Sequence, residues 1–515
     1  MPEQKSMKRW LALTAAGLGE FMALIDVTVV NVALPTMQRS FGESFNQLQW
    51  VLNAYTLAFA VTLLIVSKLG DMFGLKRMFV ISLIIFTAAS FLNGIAPNLV
   101  FLDLSRALQA IGGAGVSSLS MALVATNFTG KERGLAIGIL SSVIGLSVAA
   151  GPLVGGYLVE YFNWPAIFFV NVPLGIIAVI LTLTTVKELP HDGQNDKIDF
   201  VGMLLSAGGL FALIYGLIQK ETNPDLAWLS WQVGGWLALA VGLLVAFVIV
   251  ETHLAQPMMD MRMLTDLGFL GSVLAAFGLG AGVFAFNVYL TSLMQNYMGY
   301  SALGTGLRQL SMSVWSLFLG PFIGILGNRF SKKWIATGAL LLLAIAQLVF
   351  NQAISPTATF ISILPALILM GIGNATINPT LNAAALEGIS QQQMGMASGI
   401  VNVFRQFGVT FGVVVIGLSQ TKVYEAHITK SFNGLHLPAQ MADGLHKALL
   451  EAGPFSGHAI AFSHRVNATP FAKSIQTAVI NAYDHGLTAA SYTAMVLILI
   501  GAAAAMFLMR SKPSN

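Results

Sequence analysis

Apolar residues dominate this chain in long runs separated by short polar breaks, and the pattern continues almost to the C-terminus. A helix crosses the hydrocarbon core of a bilayer with roughly 20 apolar residues. Segmentation on that length predicts membrane spans near 10–34, 49–69, 78–97, 99–125, 135–159, 166–186, 199–219, 230–250, 268–295, 302–327, 334–354, 359–385, 395–420 and 488–509. The expected fold class is an all-α polytopic membrane protein with 14 transmembrane helices. Lys5, Lys8 and Arg9 precede the first run as in a signal peptide, but the run exceeds the roughly 7–15 residues of such a segment, so it is read as a retained span.

Loop charge orients these spans, because Lys and Arg accumulate on the cytoplasmic side. Lys68, Lys76, Arg77, Lys131, Arg133, Lys187, Lys197, Arg262, Arg329, Lys332, Lys333, Arg510 and Lys512 fall on the side of the N-terminus, against Arg39 and Lys220 in the short loops opposite. Both termini are expected in the cytoplasm. The net charge of +4 follows from this bias and does not point to nucleic acid. With no cysteine there is no disulfide and no thiolate chemistry. The long connection 421–487, placed outside, is polar and holds six histidines without metal-ligand spacing. Its stretch 439–452 predicts an amphipathic helix, with Met441, Leu445, Ala448 and Leu449 on one side, that covers the last two spans.

One offset of 257 residues aligns 67–76 with 324–333 and maps Gly138 onto Gly395, Ser141 onto Ser398, Gly151 onto Gly408 and Gly155 onto Gly412. Two homologous halves explain this most economically. Parallel repeats relate by an axis along the membrane normal, giving an N-terminal six-helix bundle over 1–186 and a C-terminal one over 268–515, with two inserted helices and their linkers over 187–267.

Several stretches then match one family. Residues 24–35 (LIDVTVVNVALP), 69–77 (LGDMFGLKR), 106–113 (RALQAIGG), 145–156 ending in GPLVGG, and 164–175 (WPAIFFVNVPLG) occur in order along the chain. Together they resemble the major facilitator superfamily and, within it, the fourteen-span drug:proton antiporters. Ser67 stands where glycine is usual, and Met72 and Leu75 where arginine is usual, which predicts a weakened cytoplasmic charge latch. The resemblance implies a major facilitator fold, proton-coupled export of lipophilic and cationic drugs by alternating access, a small-molecule substrate, a monomer in the lipid bilayer, and no cofactor beyond the proton gradient. In a cell with two membranes, a periplasmic adaptor and an outer-membrane channel would be the expected partners.

Asp26 is the leading chemical candidate, since an acid at membrane depth is costly and marks an ion or substrate pathway. Asp26 and Arg106 both lie roughly 10–12 Å from the outer membrane face at 1.5 Å per residue, so contact is permitted. Asp26 is read as the proton-carrying acid and Arg106 as its switchable partner; a static pair orienting two helices is the alternative. Asp103 competes for Arg106, and Glu20 is the rival acid. The offset maps Asp26 onto Val283 and Arg106 onto Ile363, which places proton chemistry in the N-terminal half.

Glu20, Asn31, Trp50, Asn287, Trp315, Asn378, Asn402 and Arg405 are candidates for the substrate cavity. Asn374, Asn378 and Asn382 form a stripe facing either that cavity or a neighbouring helix. Arg308 and Arg405, intramembrane cations, argue against a strictly cationic substrate. Gly70, Asp71, Gly74, Lys76 and Arg77 are candidate gate residues, as are Gly151, Pro152, Gly155, Gly156, Gly408 and Gly412, read as a symmetric seal between spans 5 and 13. No G-x-x-x-x-G-K-[ST], H-E-x-x-H or G-x-S-x-G run occurs, which disfavours an ATP-driven pump and an enzyme. The alternatives are export of an endogenous metabolite, lipid or siderophore, and a non-transporting membrane receptor.

Overall fold

The computed structural model describes residues 2–43, 45–187, 198–254, 257–327, 329–434 and 439–510. Most of the linker expected at 187–199, together with Lys197, Asn328, His436 and Lys512, lies outside the described residues. The described residues contain no strand. Spans 1–4 are Met7–Leu34, Gln47–Phe73, Leu75–Gly94 and Leu99–Asn127, and spans 6–8 are Ala166–Thr185, Phe200–Thr222 and Trp231–His253. Spans 9–14 are Leu267–Tyr297, Ala302–Leu326, Lys332–Ala353, Phe360–Ala385, Gln391–Asn433 and Ala472–Leu508. Span 5 is a pair, Glu132–Ser147 and Ala150–Phe162, bent by 44°, and counting it as one brings the total to 14. Pro152 explains the bend: it lacks the N–H that would bond the carbonyl at 148, and its ring crowds that carbonyl.

The last two spans depart most from expectation. Their helices continue past the apolar run to Asn433 and begin early at Ala472, so 421–487 is largely helical. The polar extensions bury apolar faces against each other: Tyr424, Ile428, Ile475, Val479 and Tyr483 are inaccessible. The helix Ala439–Ala461 packs on both extensions, burying Leu449 and half-burying Leu445. It breaks at Gly453 (φ 61°) ahead of Pro454. There the Tyr297 hydroxyl donates to the Pro454 carbonyl (2.8 Å) and Asn296 Nδ2 to that of Phe455 (2.9 Å). The expected cover over spans 13 and 14 is therefore also fastened to the outer end of span 9.

Packing follows the repeat. Span 1 contacts spans 4, 5 and 6, and span 9 contacts 12, 13 and 14. Span 4 lies against 2 and 3, and span 12 against 10 and 11. Across the interface, span 5 packs along span 10, and span 13 along span 2. Each pair maps onto the other when the halves exchange. Spans 7 and 8 form a hairpin, with span 7 laid against spans 2 and 13.

This arrangement corrects the expected seal. A Cβ on Gly151 would meet Thr28 Oγ1 at 1.7 Å, and Gly155 lies against Val29, so both serve contact with span 1. Their repeats Gly408 and Gly412 face Phe277 and Ala281 of span 9. These glycines hold each bundle together instead of joining span 5 to span 13. Of the expected seal, Gly156 does lie at the interface, against Leu303 of span 10; there Gly138 and Gly145 meet Gly320 and Ser316, and Gly324 meets the carbonyl of Gly134. Shape decides this, because glycine permits close backbone approach wherever two helices cross.

A side chain at Gly412 would meet the Ala281 backbone, with its Cβ 2.2 Å from the carbonyl oxygen, whereas nothing lies within 4 Å of one at Gly338. Gly412→Val is expected to destabilise the folded protein by about 1–3 kcal/mol through overpacking, and Gly338→Val is expected to be near neutral. Thermal unfolding of both variants in the same detergent checks the contrast.

Candidate functional site

Asp26 is 1% exposed, and so is Arg106. A buried acid of this kind needs a partner and further hydrogen bonds to persist. Arg106 Nη1 donates to Asp26 Oδ2, forming the ion pair. Asp26 Oδ1 accepts from Gln109 Nε2 (2.8 Å) and Asn171 Nδ2 (3.1 Å). Arg106 also donates to Gln109 Oε1 (2.6 Å) and through Nε to the Val51 carbonyl (3.2 Å). Its guanidinium stacks 4.3 Å from the Tyr55 ring centroid and 5.7 Å from that of Phe168.

A second layer orients the first. Gln109 Nε2 donates to Ser90 Oγ (2.6 Å), Asn93 Nδ2 donates to Gln109 Oε1 (2.7 Å), and Ser105 donates to Asn93 Oδ1 (2.5 Å). Spans 1, 2, 3, 4 and 6 thus meet at one carboxylate, and every hydrogen-bonding member comes from the N-terminal half. Two buried polar atoms here lack a partner, Asn171 Oδ1 and the Tyr55 hydroxyl. Asp103 makes no ion pair with Arg106, and its Oδ1 is likewise buried without a partner.

Glu20 forms a different site. It is 1% exposed, and Oε2 accepts from the Ser120 hydroxyl (2.9 Å). Arg405 of span 13 acts on it electrostatically from the opposite half. Arg405 itself donates to Asn402 Oδ1, and Asn402 Nδ2 crosses the interface to the Ser117 carbonyl (3.2 Å). Asn382 Nδ2 reaches Ser141 Oγ of span 5 (3.5 Å). Asn378 instead bonds within its own helix to Asn374 Oδ1 (2.8 Å) and the Asn374 carbonyl (3.0 Å).

The remaining cavity candidates disperse. Asn31 is exposed and donates back to the Val27 carbonyl (3.2 Å). Trp50 lies beside Tyr215 of span 7 (ring centroids 6.4 Å apart), on the side of the inserted hairpin. Asn287 lines a small void inside the C-terminal bundle with Met312, Gln347 and Met370. Trp315 packs against Gly371, leaving its indole N–H buried without an acceptor. Arg308 sits 3.7 Å from the Tyr300 ring centroid and donates to the Gly304 carbonyl. Sequence spacing assigned depth but not the face of the bundle, and these positions differ in face.

The gate candidates cluster where span 1 begins, termed the inner face. Asp71 accepts from the backbone N–H groups of Gly395 (2.8 Å) and Met396 (2.7 Å), opposite the partial positive charge of the span 13 N-terminus. Gly70 lets span 2 close on Leu119, Gly74 turns the chain at φ 100°, and Lys76 donates to the Leu183 carbonyl. Arg77 is exposed at the start of span 3 and engages other groups. Arg133 reaches the Leu386 carbonyl (3.4 Å) across the halves. Ser67 faces Gly399, whose missing side chain leaves room for the hydroxyl. Backbone-directed bonds therefore join the halves at the inner face, where Met72 and Leu75 stand in place of arginines.

Gln109 and Asn171 were the residues sequence reasoning missed, although both lie in stretches it had singled out, Gln109 three positions after Arg106 and Asn171 after Phe169-Val170. Arg106→Ala strands the Asp26 carboxylate and is expected to cost about 3–5 kcal/mol, as for other broken buried pairs. Adding Asp26→Asn restores part of that loss. A double-mutant cycle in thermal unfolding reads the coupling.

The family model of the Major Facilitator Superfamily matches residues 16–413. Multidrug resistance protein Stp of Mycobacterium tuberculosis is 34% identical over 79% of this chain and 75% of its own length. Multidrug transporter protein MdtP of Bacillus subtilis is 28% identical over 100% of this chain and 95% of its own. The solved structure of the proton:xylose symporter XylE superposes with a TM-score of 0.61 at 13% identity, covering 98% of this chain and 95% of that one, which supports the fold alone. With 13 or 14 apolar spans among the described residues, packed as two repeat-related bundles, and the family's model matched over most of its length, the chain belongs to the major facilitator superfamily.

Proposed function

We propose that this protein is a proton-coupled antiporter that exports lipophilic, cationic drugs or toxic compounds by alternating access. The observation that carries the reading is the Asp26–Arg106–Gln109–Asn171 network: a buried, ion-paired acid in one half whose repeat positions are Val283 and Ile363. Such an acid takes up a proton only when its cation is drawn away or screened, which links protonation to rearrangement of spans 1 and 4. Drug export is supported by the names of Stp and MdtP, which describe those relatives. Glu20 supplies the negative charge for a cationic substrate, and Arg405 faces it from the other half, so a bound cation competes with Arg405 and loosens the interface. Both termini lie in the cytoplasm, and no cofactor takes part.

Arg405 also favours a second reading. A guanidinium at the interface suits an anionic or zwitterionic endogenous metabolite exported by the same cycle.

Uptake of a lipophilic cationic dye into inverted vesicles under an imposed pH gradient tests the first reading. Wild type is expected to accumulate dye, Asp26→Asn to fall to the level of empty vesicles, and Glu20→Gln to lose cations while retaining uncharged compounds. Full pH-driven export by Asp26→Asn would sink the coupling assignment. Transport of organic anions but not of cations would favour the second reading.

A further inference from the structure

The inserted hairpin carries a pair of acids that the transport reading does not use. Asp199 caps span 7, its Oδ1 accepting from the Gly202 N–H (2.8 Å). Glu251, 3% exposed near the end of span 8, accepts from the Met259 N–H through Oε2 (2.9 Å). The other two oxygens, Asp199 Oδ2 and Glu251 Oε1, are buried and accept from no donor among the described residues. They face each other: each lies 2.2 Å from the one point where Gly202 would carry a Cβ, so they are separated by no more than twice that distance. Two ionised carboxylates at such range repel, and neither oxygen has another donor among the described residues. A single proton between them satisfies both.

The surrounding contacts lead from this pair to the inner gate. Glu251 holds Met259, two residues on from Pro257, and the Pro257 carbonyl accepts from Lys68 Nζ of span 2 (3.0 Å). Three residues further along span 2, Asp71 caps span 13. Lys68, Asp71, Glu251, Asp260 and Arg262 line one recess of about 490 Å³ at the inner face. Among the described residues, the charged groups that share this recess with Glu251 are thus Lys68 and Asp71 from span 2 and Asp260 and Arg262 from the linker before span 9. Lys68 is the cation that acts on Glu251 electrostatically.

We propose that Asp199 and Glu251 form a second proton-binding site, sharing one proton, and that occupancy of this site holds the inner gate closed. Loss of the proton leaves two negative charges in contact. The pair then separates, and the added charge draws Lys68 from the Pro257 carbonyl, freeing span 2 to leave the end of span 13. The site is distinct from the coupling acid, since it binds its proton whether or not Asp26 carries the coupled one.

The chain has no cysteine, so spin labels can be placed at Phe73→Cys and Gln391→Cys, both exposed on the two sides of the inner gate. Distances between the labels would be measured in the full-length protein in vesicles without drug, across a pH series. The wild-type distance is expected to lengthen as pH rises. Glu251→Gln, whose amide donates to Asp199 without a titrating proton, is expected to stay short at every pH, and Asp199→Asn likewise. Asp26→Asn is expected to keep the wild-type transition, which separates this site from the coupling acid. A pH-independent wild-type distance, a Glu251→Gln transition like that of wild type, or a transition driven by metal ions at fixed pH would overturn the proposal. In vesicle infrared spectra, loss of a protonated-carboxyl band in Glu251→Gln is expected; retention of every such band would count against the pair as well.

Discussion

The ion pair between Asp26 and Arg106 is the constraint around which the N-terminal half is organised. A charged side chain at the centre of a bilayer costs about 2.5–3.5 kcal/mol on insertion scales, and water is excluded from both groups. The fold answers by bringing five spans to one carboxylate and giving each oxygen of Asp26 a donor. The second layer of Ser90, Asn93 and Ser105 then orients Gln109, so its amide both donates and accepts within the network. The C-terminal half has the same helix arrangement with Val283 and Ile363 at the corresponding places, and there apolar packing takes over. Architecture is shared between the halves, while the buried acid–arginine pair belongs to one.

That asymmetry meets a symmetric interface. Spans 5 and 10 run together along their length, and spans 2 and 13 meet in the repeat-related position beside the inserted span 7. Polar crossings at Asn402–Ser117, Asn382–Ser141 and Asp71–Gly395 join the halves. A backbone N–H, a carbonyl or a hydroxyl takes part in each, so these bonds depend on how two helix ends are placed and less on which side chains the loop carries. This accounts for closure at the inner face despite Met72 and Leu75 in the loop between spans 2 and 3.

The inserted hairpin is more than a spacer between two bundles. It touches span 2 through Leu57, Ala60, Ile214 and Ile218, covers the side of the interface away from spans 5 and 10, and reaches the gate through Met258, Met259 and the Pro257 carbonyl. An element with contacts to both halves can transmit a local change in charge to their relative position. At the opposite face the helical extensions of spans 13 and 14 enclose Tyr424 and Tyr483 with span 9, tying the outer end of the C-terminal bundle together.

Several features were legible from the order of residues alone. Span number follows from apolar run length, since hydrocarbon thickness sets a minimum; the repeat follows from one recurring offset; and matched depth permits the Asp26–Arg106 contact, because rise per residue is constant along a helix. Loop 421–487 was misread because hydropathy reports where lipid ends and not where a helix ends. Gly408 and Gly412 were assigned to the wrong neighbour because a glycine indicates close approach without saying to which helix. Asn31, Trp50 and Asn287 were grouped by depth and polarity, yet they face different surroundings. The order of residues carries the class, the spans, the repeat and the two acids at membrane depth, Asp26 and Glu20, all of which depend on distances along one chain. Which donors surround Asp26, which helices seal the interface, and that Asp199 meets Glu251 come from the assembled fold, because they depend on rotations of helices about their axes that no single segment specifies.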